Sequence, residues 1–558
     1  MKKTITILFI ISALAAGGQT AYEHISRTAV YDLLDELAAE KVIQVNSVVK
    51  PYSRTFIAEK LTEALEQKEA LTRRQVNDIE FYLKDYRLEL EYNTSGMKPG
   101  NIFPKKDHIA TSLDPIGVHY RDSVFALSVR PVWGITYFTN RNGTATHRWG
   151  GLEGFGYITK NIGLYTSLRD NRESQWLSAP EYFVQRQGVP VKGVPDGGVD
   201  FSEARGGLMA SWKWGSVGVI KDHFTWGNSY YGSNIFSGRT PSFAHIKLHL
   251  KPVKWFEFNY IHGWLVSEVI DSTRSYWDGD TYREVFHSKY IAANMFTFTP
   301  VKHLNISFGN SIIYSDIGVQ AAYLVPFLFY KSVDHTLNST ANNTGQNSQM
   351  FFDISSRNLK HLHLFVSVFI DEFSISRVSE KEAHNFISYK GGFRLSNWPV
   401  RNLSLITEYT FTLPMTYQHY ISTTTFESNS YNLGHYMRDN SQDLYIALKY
   451  KPIRGLTIDA FYNFAQHGND EKYGEFVPGD EVPVMEIITW QKSVLGLKAR
   501  YEVVNNAYVY LGVVYSDVRG LKELEGNRAV VPNYLNKFTP PLFRGINTTL
   551  EAGFNIGF

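Results

Sequence analysis

The chain closes on TTLEAGFNIGF, residues 548–558, where Leu550, Ala552, Phe554, Ile556 and Phe558 alternate with Glu551, Gly553, Asn555 and Gly557. Period-two alternation marks a strand whose two faces meet different surroundings. Here it runs to the last residue, where a chain in water normally frays. The pattern recurs upstream. Leu444, Ile446, Leu448 and Tyr450 alternate with Lys449 and Lys451, and Leu456, Ile458, Ala460, Tyr462 and Phe464 with Asp459 and Asn463. Leu495, Leu497, Ala499, Tyr501 and Val503 alternate with Lys498, Arg500 and Glu502. So many amphipathic strands need an apolar medium for one set of faces and a polar interior for the other.

Eight short connections, near Lys160, Gly215, Pro252, Pro300, Asn358, Trp398, Pro452 and Val504, separate pairs of strands joined by longer polar stretches. Short turns at one end and long loops at the other is the pattern of a transmembrane barrel. In lipid every backbone polar group must be paired internally, so the sheet closes and its last strand meets its first. The sequence therefore predicts a mainly β fold, an antiparallel transmembrane β-barrel of about 18 strands over residues 123–558. Phe558 is expected in an aromatic girdle, and Glu551 and Asn555 in the lumen. The 35 Tyr, 36 Phe and 11 Trp, 15% of the chain, suit interfaces where a ring has one wet and one dry side.

The N-terminus differs. Lys2 and Lys3, an apolar run from Ile5 to Ala16 and then small residues read as a secretory signal peptide over 1–19. The run is too short to span a bilayer as a helix. Residues 20–93 read as a helical bundle. Val30, Leu33, Leu34 and Leu37 make one apolar stripe, Ser53 is an N-cap, and Thr72 with Gln75 forms a capping box. A unit this small is short of core and should lean on something larger, as a periplasmic plug or cap. Residues 94–122 form a connector with room for an extra hairpin.

The absence of cysteine excludes disulfides and thiolate metal sites, and a net charge of +2 gives no nucleic-acid footprint. The longest later apolar run, Ala321–Tyr330, is ten residues and carries Pro326, so no helix spans a membrane. His361 and His363 share strand parity, and Asp278, Asp280 and Glu284 carry a fragment of calcium-loop spacing. Lumen packing and a solvated turn explain these better, so no metal and no cofactor is expected. No motif positions a nucleophile beside a base, although a barrel hydrolase, a third reading, would arrange its groups across strands and leave no such motif. Lys449, Lys451, Lys498 and Arg500 are expected to pair with Asp459 and Glu502 rather than to guide an anionic polymer.

The stretch Val217–Leu265, with Trp226-Gly227, Gly232-Ser233, Ser237 and Pro241, resembles the Wzi-type capsule assembly family. So do the Pro-aromatic strand and Asn-rich loop from Ala321, the segment Thr416–Leu444, and helices separated by KPYSR. In this sequence WGNSYYG replaces the Gly-Pro pair that often follows Trp-Gly. The resemblance implies a multi-pass barrel in the cell outer membrane, surrounded by lipid, with its N-terminal region in the periplasm; the terminal strand ending in Phe558 separately resembles the signal read by the barrel assembly machinery. The family resemblance implies a non-enzymatic protein, no enzyme, that binds capsular polysaccharide and attaches it to the cell surface. Sugars offer flat C–H faces ringed by hydroxyls, which suit aromatic and polar loop residues. The candidates for contact are Trp226, Tyr230, Tyr231, Arg239, Tyr417, His419 and Tyr420. The alternative is an outer-membrane porin or oligosaccharide channel, which the helical unit should discriminate.

Overall fold

The computed structural model describes residues 20–93, 109–190, 192–193, 197–337, 345–373, 385–471, 473, 482–524, 527–530 and 532–557. The proposed leader, the connector up to residue 108 and Phe558 lie outside them. Among the described residues no helix is long and apolar enough to cross a membrane.

Eighteen antiparallel strands close into a barrel. In chain order these are β1 (Phe125–Asn140), β2 (Gly143–Ile158), β3 (Ile162–Glu173), β4 (Val199–Trp212), β5 (Gly215–Asp222) and β6 (Phe243–Val253). Next come β7 (Phe256–Ile270), β8 (Phe286–Val301), β9 (Leu304–Ser315), β10 (Asn347–Ser356), β11 (Leu362–Glu372) and β12 (Phe386–Ser396). The last six are β13 (Leu403–Thr412), β14 (Ser441–Tyr450), β15 (Leu456–His467), β16 (Trp490–Val504), β17 (Ala507–Leu524) and β18 (Gly545–Ile556). Closure is direct: Leu550 pairs with Thr139 and Ile556 with Trp133. Below the end of β18, the first strand would keep an open edge. The hairpin Ile109–Leu113 and Ile116–Arg121 fills it, with Val118 opposite Val129.

Side-chain parity follows the alternation read from the sequence. Val509, Leu511, Val513 and Tyr515 face outward and are exposed, as are Leu495 and Leu497 on β16. Their chain neighbours turn into a lumen filled enough to bury many polar residues, Arg130, Glu502 and Ser516 among them. A band of exposed aliphatic and aromatic side chains around a closed sheet is a surface for hydrocarbon, not for water. Tight connections occupy the eight expected places at one mouth. One departure concerns the opposite end, where β1 and β2 are joined by only Arg141 and Asn142 instead of a long loop.

The helical unit comprises α1 (Thr28–Ala39), α2 (Arg54–Glu66), α3 (Arg73–Leu83) and α4 (Arg87–Asn93). The Ser53 hydroxyl accepts from the Phe56 N–H, and Thr72 and Gln75 cap each other, so both helix starts form where the sequence placed them. The unit sits inside the short-turn mouth and touches the wall on all sides. The His361 N–H donates to the Ala39 carbonyl, Asn505 to Phe81, and the Gly455 N–H to Asp78. Across the mouth, Asn46 donates to Glu257 on β7.

Close approach demands a glycine on β3. A Cβ on Gly163 would lie 2.1 Å from the Thr20 carbonyl oxygen. Gly163→Ala is therefore expected to push the segment entering α1 off the wall, at a cost of about 1–3 kcal/mol. Faster limited proteolysis around residues 20–27, with the barrel still intact on a semi-native gel, would register it. Unchanged cleavage would mean that the segment docks elsewhere.

Candidate functional site

The lumen is occupied from both ends. From the short-turn side comes α1, whose apolar stripe packs on α2 and α3 through Leu33, Leu34, Leu37, Ile57, Leu61 and Ile79. Its other face carries Asp32, Asp35 and Glu36, which in water would be solvated. Here the barrel wall covers them with cations. Asp32 lies 2.6 Å from Arg394 and 3.3 Å from Lys449 and also contacts Lys451; Asp35 lies 2.9 Å from Arg357, and Glu36 lies 3.2 Å from Lys451. Burial alone would raise these carboxyls, but Arg394 and the two lysines hold Asp32 well below the usual range. Lys50, Arg357 and Arg394 likewise lower Asp35, and Lys451 and Arg74 outweigh burial to bring Glu36 down to about 2.

A second network joins α2 and α4 to the opposite wall. Arg54 reaches Glu23 and Glu89, both at 2.6 Å, while its guanidinium lies 3.9 Å from the ring centre of Phe155 on β2. Asp85 takes Arg27 at 2.6 Å and Arg130 of β1 at 2.5 Å.

From the other side the loops 223–242 and 413–440 fold down into the barrel. Val49 and Lys50 of the helical unit pair with Trp226 and Thr225 as a two-stranded sheet, so loop and plug meet inside the lumen. Trp226 and Tyr417 lie in one buried cluster with Phe236, Phe351, Phe369 and Phe426, and the Tyr417 hydroxyl donates to the Asn234 carbonyl at 2.7 Å. Arg239 donates to the carbonyls of Val184 at 2.9 Å and Tyr182 at 2.6 Å. These three sequence candidates hold loops in place rather than presenting a free face. His419 packs at a tilt on Tyr420 and accepts from or donates to Thr424 at 2.7 Å; burial holds its imidazole down to about 4, so it is neutral at physiological pH. Tyr420 is 45% exposed beside it.

Tyr230 and Tyr231 stand differently. Their backbone N–H groups donate to the Glu408 carboxylate, which Lys390 supports at 3.1 Å. This anchor sets the two residues at the borders of two adjoining cavities along the wall formed by β15–β18, with the Tyr230 hydroxyl turned to His363 of β11 at 2.6 Å. The inner cavity, about 450 Å³, is lined by Tyr230, Asp32, Lys449, Asp459, Arg500 and the walls around Tyr510. The outer one, about 420 Å³ and on the long-loop side, is lined by Tyr231, Phe461, Trp490, Lys492, Phe538 and Phe543. Gln185, Lys498, Tyr510 and Glu551 border both. Tyr231 is rigid there, stacked on Tyr445 at 4.1 Å and 2°.

Some charges of the cleft pair with carboxylates, while Arg500 donates to the Thr28 hydroxyl at 3.0 Å and Lys492 to the Tyr436 hydroxyl at 3.2 Å. Lys498 pairs with Glu551 at 2.8 Å and Lys449 approaches Asp459 at 3.8 Å, whereas Glu502 accepts the Tyr82 hydroxyl instead of a lysine. Pairing thus holds for Lys449, Lys451 and Lys498, with plug carboxylates as the main partners that the sequence did not supply. His363 turns into the lumen and meets Ser355 and Tyr230, while His361 in the turn meets the Ser396 carbonyl, so the two imidazoles do not converge. Gln185, Phe461, Trp490 and Tyr510 were not singled out in the sequence. Strand parity marks Phe461, Trp490 and Tyr510 as lumenal, but nothing local marks them as neighbours.

The family model for the capsule assembly protein Wzi matches residues 209–529, more than half of the chain. No curated protein matches by sequence. Among solved structures the chain is similar to Wzi of Escherichia coli, described as an outer membrane protein involved in group 1 capsule assembly and a carbohydrate-binding β-barrel. The TM-score is 0.57 at 11% identity, covering 97% of this chain and 100% of that one. Lower similarity links it to OccAB2 of Acinetobacter baumannii, with TM-score 0.41, 10% identity and coverage of 77% and 97%. OpdK of Pseudomonas aeruginosa with vanillate gives TM-score 0.41, 8% identity and coverage of 77% and 98%. The likeness to Escherichia coli Wzi is one of fold, a barrel of this kind over nearly the whole chain. With the family match and the closed, lipid-facing barrel together, the chain belongs to the Wzi capsule assembly family.

Proposed function

We propose that this protein binds capsular polysaccharide from the long-loop side of an outer-membrane barrel and retains it at the cell surface without covalent chemistry. The observation that carries this reading is the filled lumen. A helical unit ion-paired into one mouth, and loops folded in from the other, leave a cleft with aromatic walls rather than a water-filled bore. A diffusion porin needs the bore; a binder needs the cleft. Rings such as Phe461 and Tyr510 suit the C–H faces of a sugar, with Gln185, Lys498 and Glu551 beside them for its hydroxyls. The cleft carboxylates Glu551 and Asp459 are engaged by lysines, an arrangement suited to recognition. The description of Escherichia coli Wzi as a carbohydrate-binding barrel supports the same reading.

In this reading residues 1–19 direct export and are removed, the barrel assembly machinery inserts the rest into outer-membrane lipid, and the helical unit faces the periplasm. Tyr230 and Tyr231 are the sequence candidates that border the cleft, while His419 and Tyr420 lie outside both cavities and would meet polymer from the loop 413–440. A strain lacking the protein is expected to make normal amounts of polymer but to release most of it into the medium. Complementation with the Phe461→Ala/Tyr510→Ala variant should restore barrel in the membrane and leave the polymer shed. Full retention of capsule in the deletion strain would sink the proposal.

A further inference from the structure

The connection between β9 and β10 does not stand at the rim. Ile261, Ala293 and Ser311 are cross-strand neighbours facing the lumen, so Tyr260, Asn294 and Asn310, one residue away on β7, β8 and β9, point outward. Outward residues of a barrel should be exposed and apolar, yet all three are buried, with Asn294 at 0% exposure, as are Phe258, Ile312 and Tyr314 beside them. What covers them is the chain from the 3-10 turn Ala321–Leu324 through α5 (Tyr330–Leu337), laid back over the outer wall. The resemblance had suggested a strand here; Pro326 and the asparagine contacts fold it as a turn and a short helix instead.

Two asparagines facing lipid halfway along the strands would be costly unless satisfied. They are satisfied by this segment. The Asn294 amide donates to the carbonyls of Pro326 at 3.0 Å and Leu328 at 2.9 Å. The Asn310 amide donates to Leu328 at 3.3 Å and to the Asn294 side chain at 2.8 Å, and its oxygen accepts from the Tyr330 N–H at 2.9 Å. The Tyr260 hydroxyl donates to the Tyr323 carbonyl at 2.9 Å. Irregular backbone at membrane depth needs this kind of support, and Pro326 brings no N–H to satisfy. Along residues 324–329 the far side is the reverse of a water-facing loop, whereas α5 beyond it exposes Ser332, His335 and Thr336. Leu324, Val325, Phe327 at 54% and Phe329 at 45% are exposed, while Asp334 turns in toward the Tyr323 hydroxyl at 3.2 Å. Exposed Phe308, Phe352 and Ile354 on β9 and β10 continue the same apolar surface.

We propose that residues 321–330 form a clasp embedded in the bilayer, held on the outer wall by Asn294 and Asn310, with Phe327 and Phe329 in contact with lipid acyl chains. The clasp rests on the barrel lying in a membrane and not on polysaccharide binding. Because the chain has no cysteine, Phe327→Cys can carry a single nitroxide label in protein reconstituted into phosphatidylcholine vesicles. Collisions with oxygen should exceed those with an aqueous nickel chelate, as for Phe352→Cys on the wall. Trp277→Cys, on the exposed hairpin Tyr276–Asp278 and Thr281–Arg283, should give the reverse order. Nickel access at position 327 like that at 277 would overturn the proposal, and so would shielding from both reagents, which would mean that protein covers the clasp. Adding Asn294→Leu/Asn310→Leu, which leaves the outward wall apolar and the barrel heat-modifiable, should raise the label's mobility and its nickel access. No change would remove the asparagines as anchors.

Discussion

Replacing Asp32 with asparagine is expected to turn a barrel that conducts little at neutral pH into one that opens often. The carboxylate is where three wall cations converge: Arg394 at 2.6 Å, Lys449 at 3.3 Å and Lys451. Arg394 is 0% exposed, with serines and the face of Tyr230 as its other contacts. Removing one member of such a buried cluster leaves charge without compensation, which costs about 3–5 kcal/mol. At about 1.4 kcal/mol per factor of ten, the docking equilibrium of the helical unit should weaken by roughly a hundredfold to a few thousandfold. The barrel strands do not depend on Asp32 for any backbone pairing, so the wall should persist while the plug loosens. Planar-bilayer recordings would read this as long-lived open steps rare in the parent protein. An Asp32→Asn barrel as quiet as the parent would show that the infolded loops, not the ion pairs, close the lumen.

The barrel was legible in the sequence because lipid imposes a rule on every strand. Leu448, Tyr450, Leu495, Leu497 and Leu550 face outward, as their period-two spacing required. Helix starts were legible for a similarly local reason, since Ser53 and Thr72 act within a single turn. The lumen was not. The acidic face of α1 looks like an ordinary solvated face until Arg394, more than three hundred residues away, is brought against it. Loop aromatics share a composition whether they pack or project. Nothing in the sequence separates buried Trp226 and Tyr417 from Tyr231 at a cavity wall or from half-exposed Tyr420. The clasp left a faint signal, two asparagines at outward positions of adjoining strands, whose meaning depends on a register that only the folded sheet supplies.

Acidification is expected to release the same plug, between about pH 4 and 2. Asp32, Asp35 and Glu36 are depressed carboxyls, facing Arg394, Lys449 and Lys451, then Lys50 and Arg357, then Arg74. A group with a lowered docked pKa stabilises the docked state fully above its undocked value and loses that contribution as pH falls toward the docked one. Glu36 stands at about 2 when docked; Arg74 belongs to the helical unit and stays with it on undocking, so the share lost with docking is the one that Lys451 supplies. Two neighbours work the other way. Burial raises Glu40, with Glu36 adding to it, and burial raises Asp78 against the pull of Arg74, so both take up protons earlier when docked. They offset part of the loss, but they lack the converging cations that make the first three large. Open probability should therefore stay low from neutral pH to about 4 and climb steeply below it, and should return on neutralisation if the barrel wall has held. In the Asp32→Asn variant the climb should begin from a higher baseline and span a smaller range, because one depressed carboxyl is gone. A parent barrel that opens already near pH 6, or stays shut at pH 2, would mean that groups other than these three govern docking.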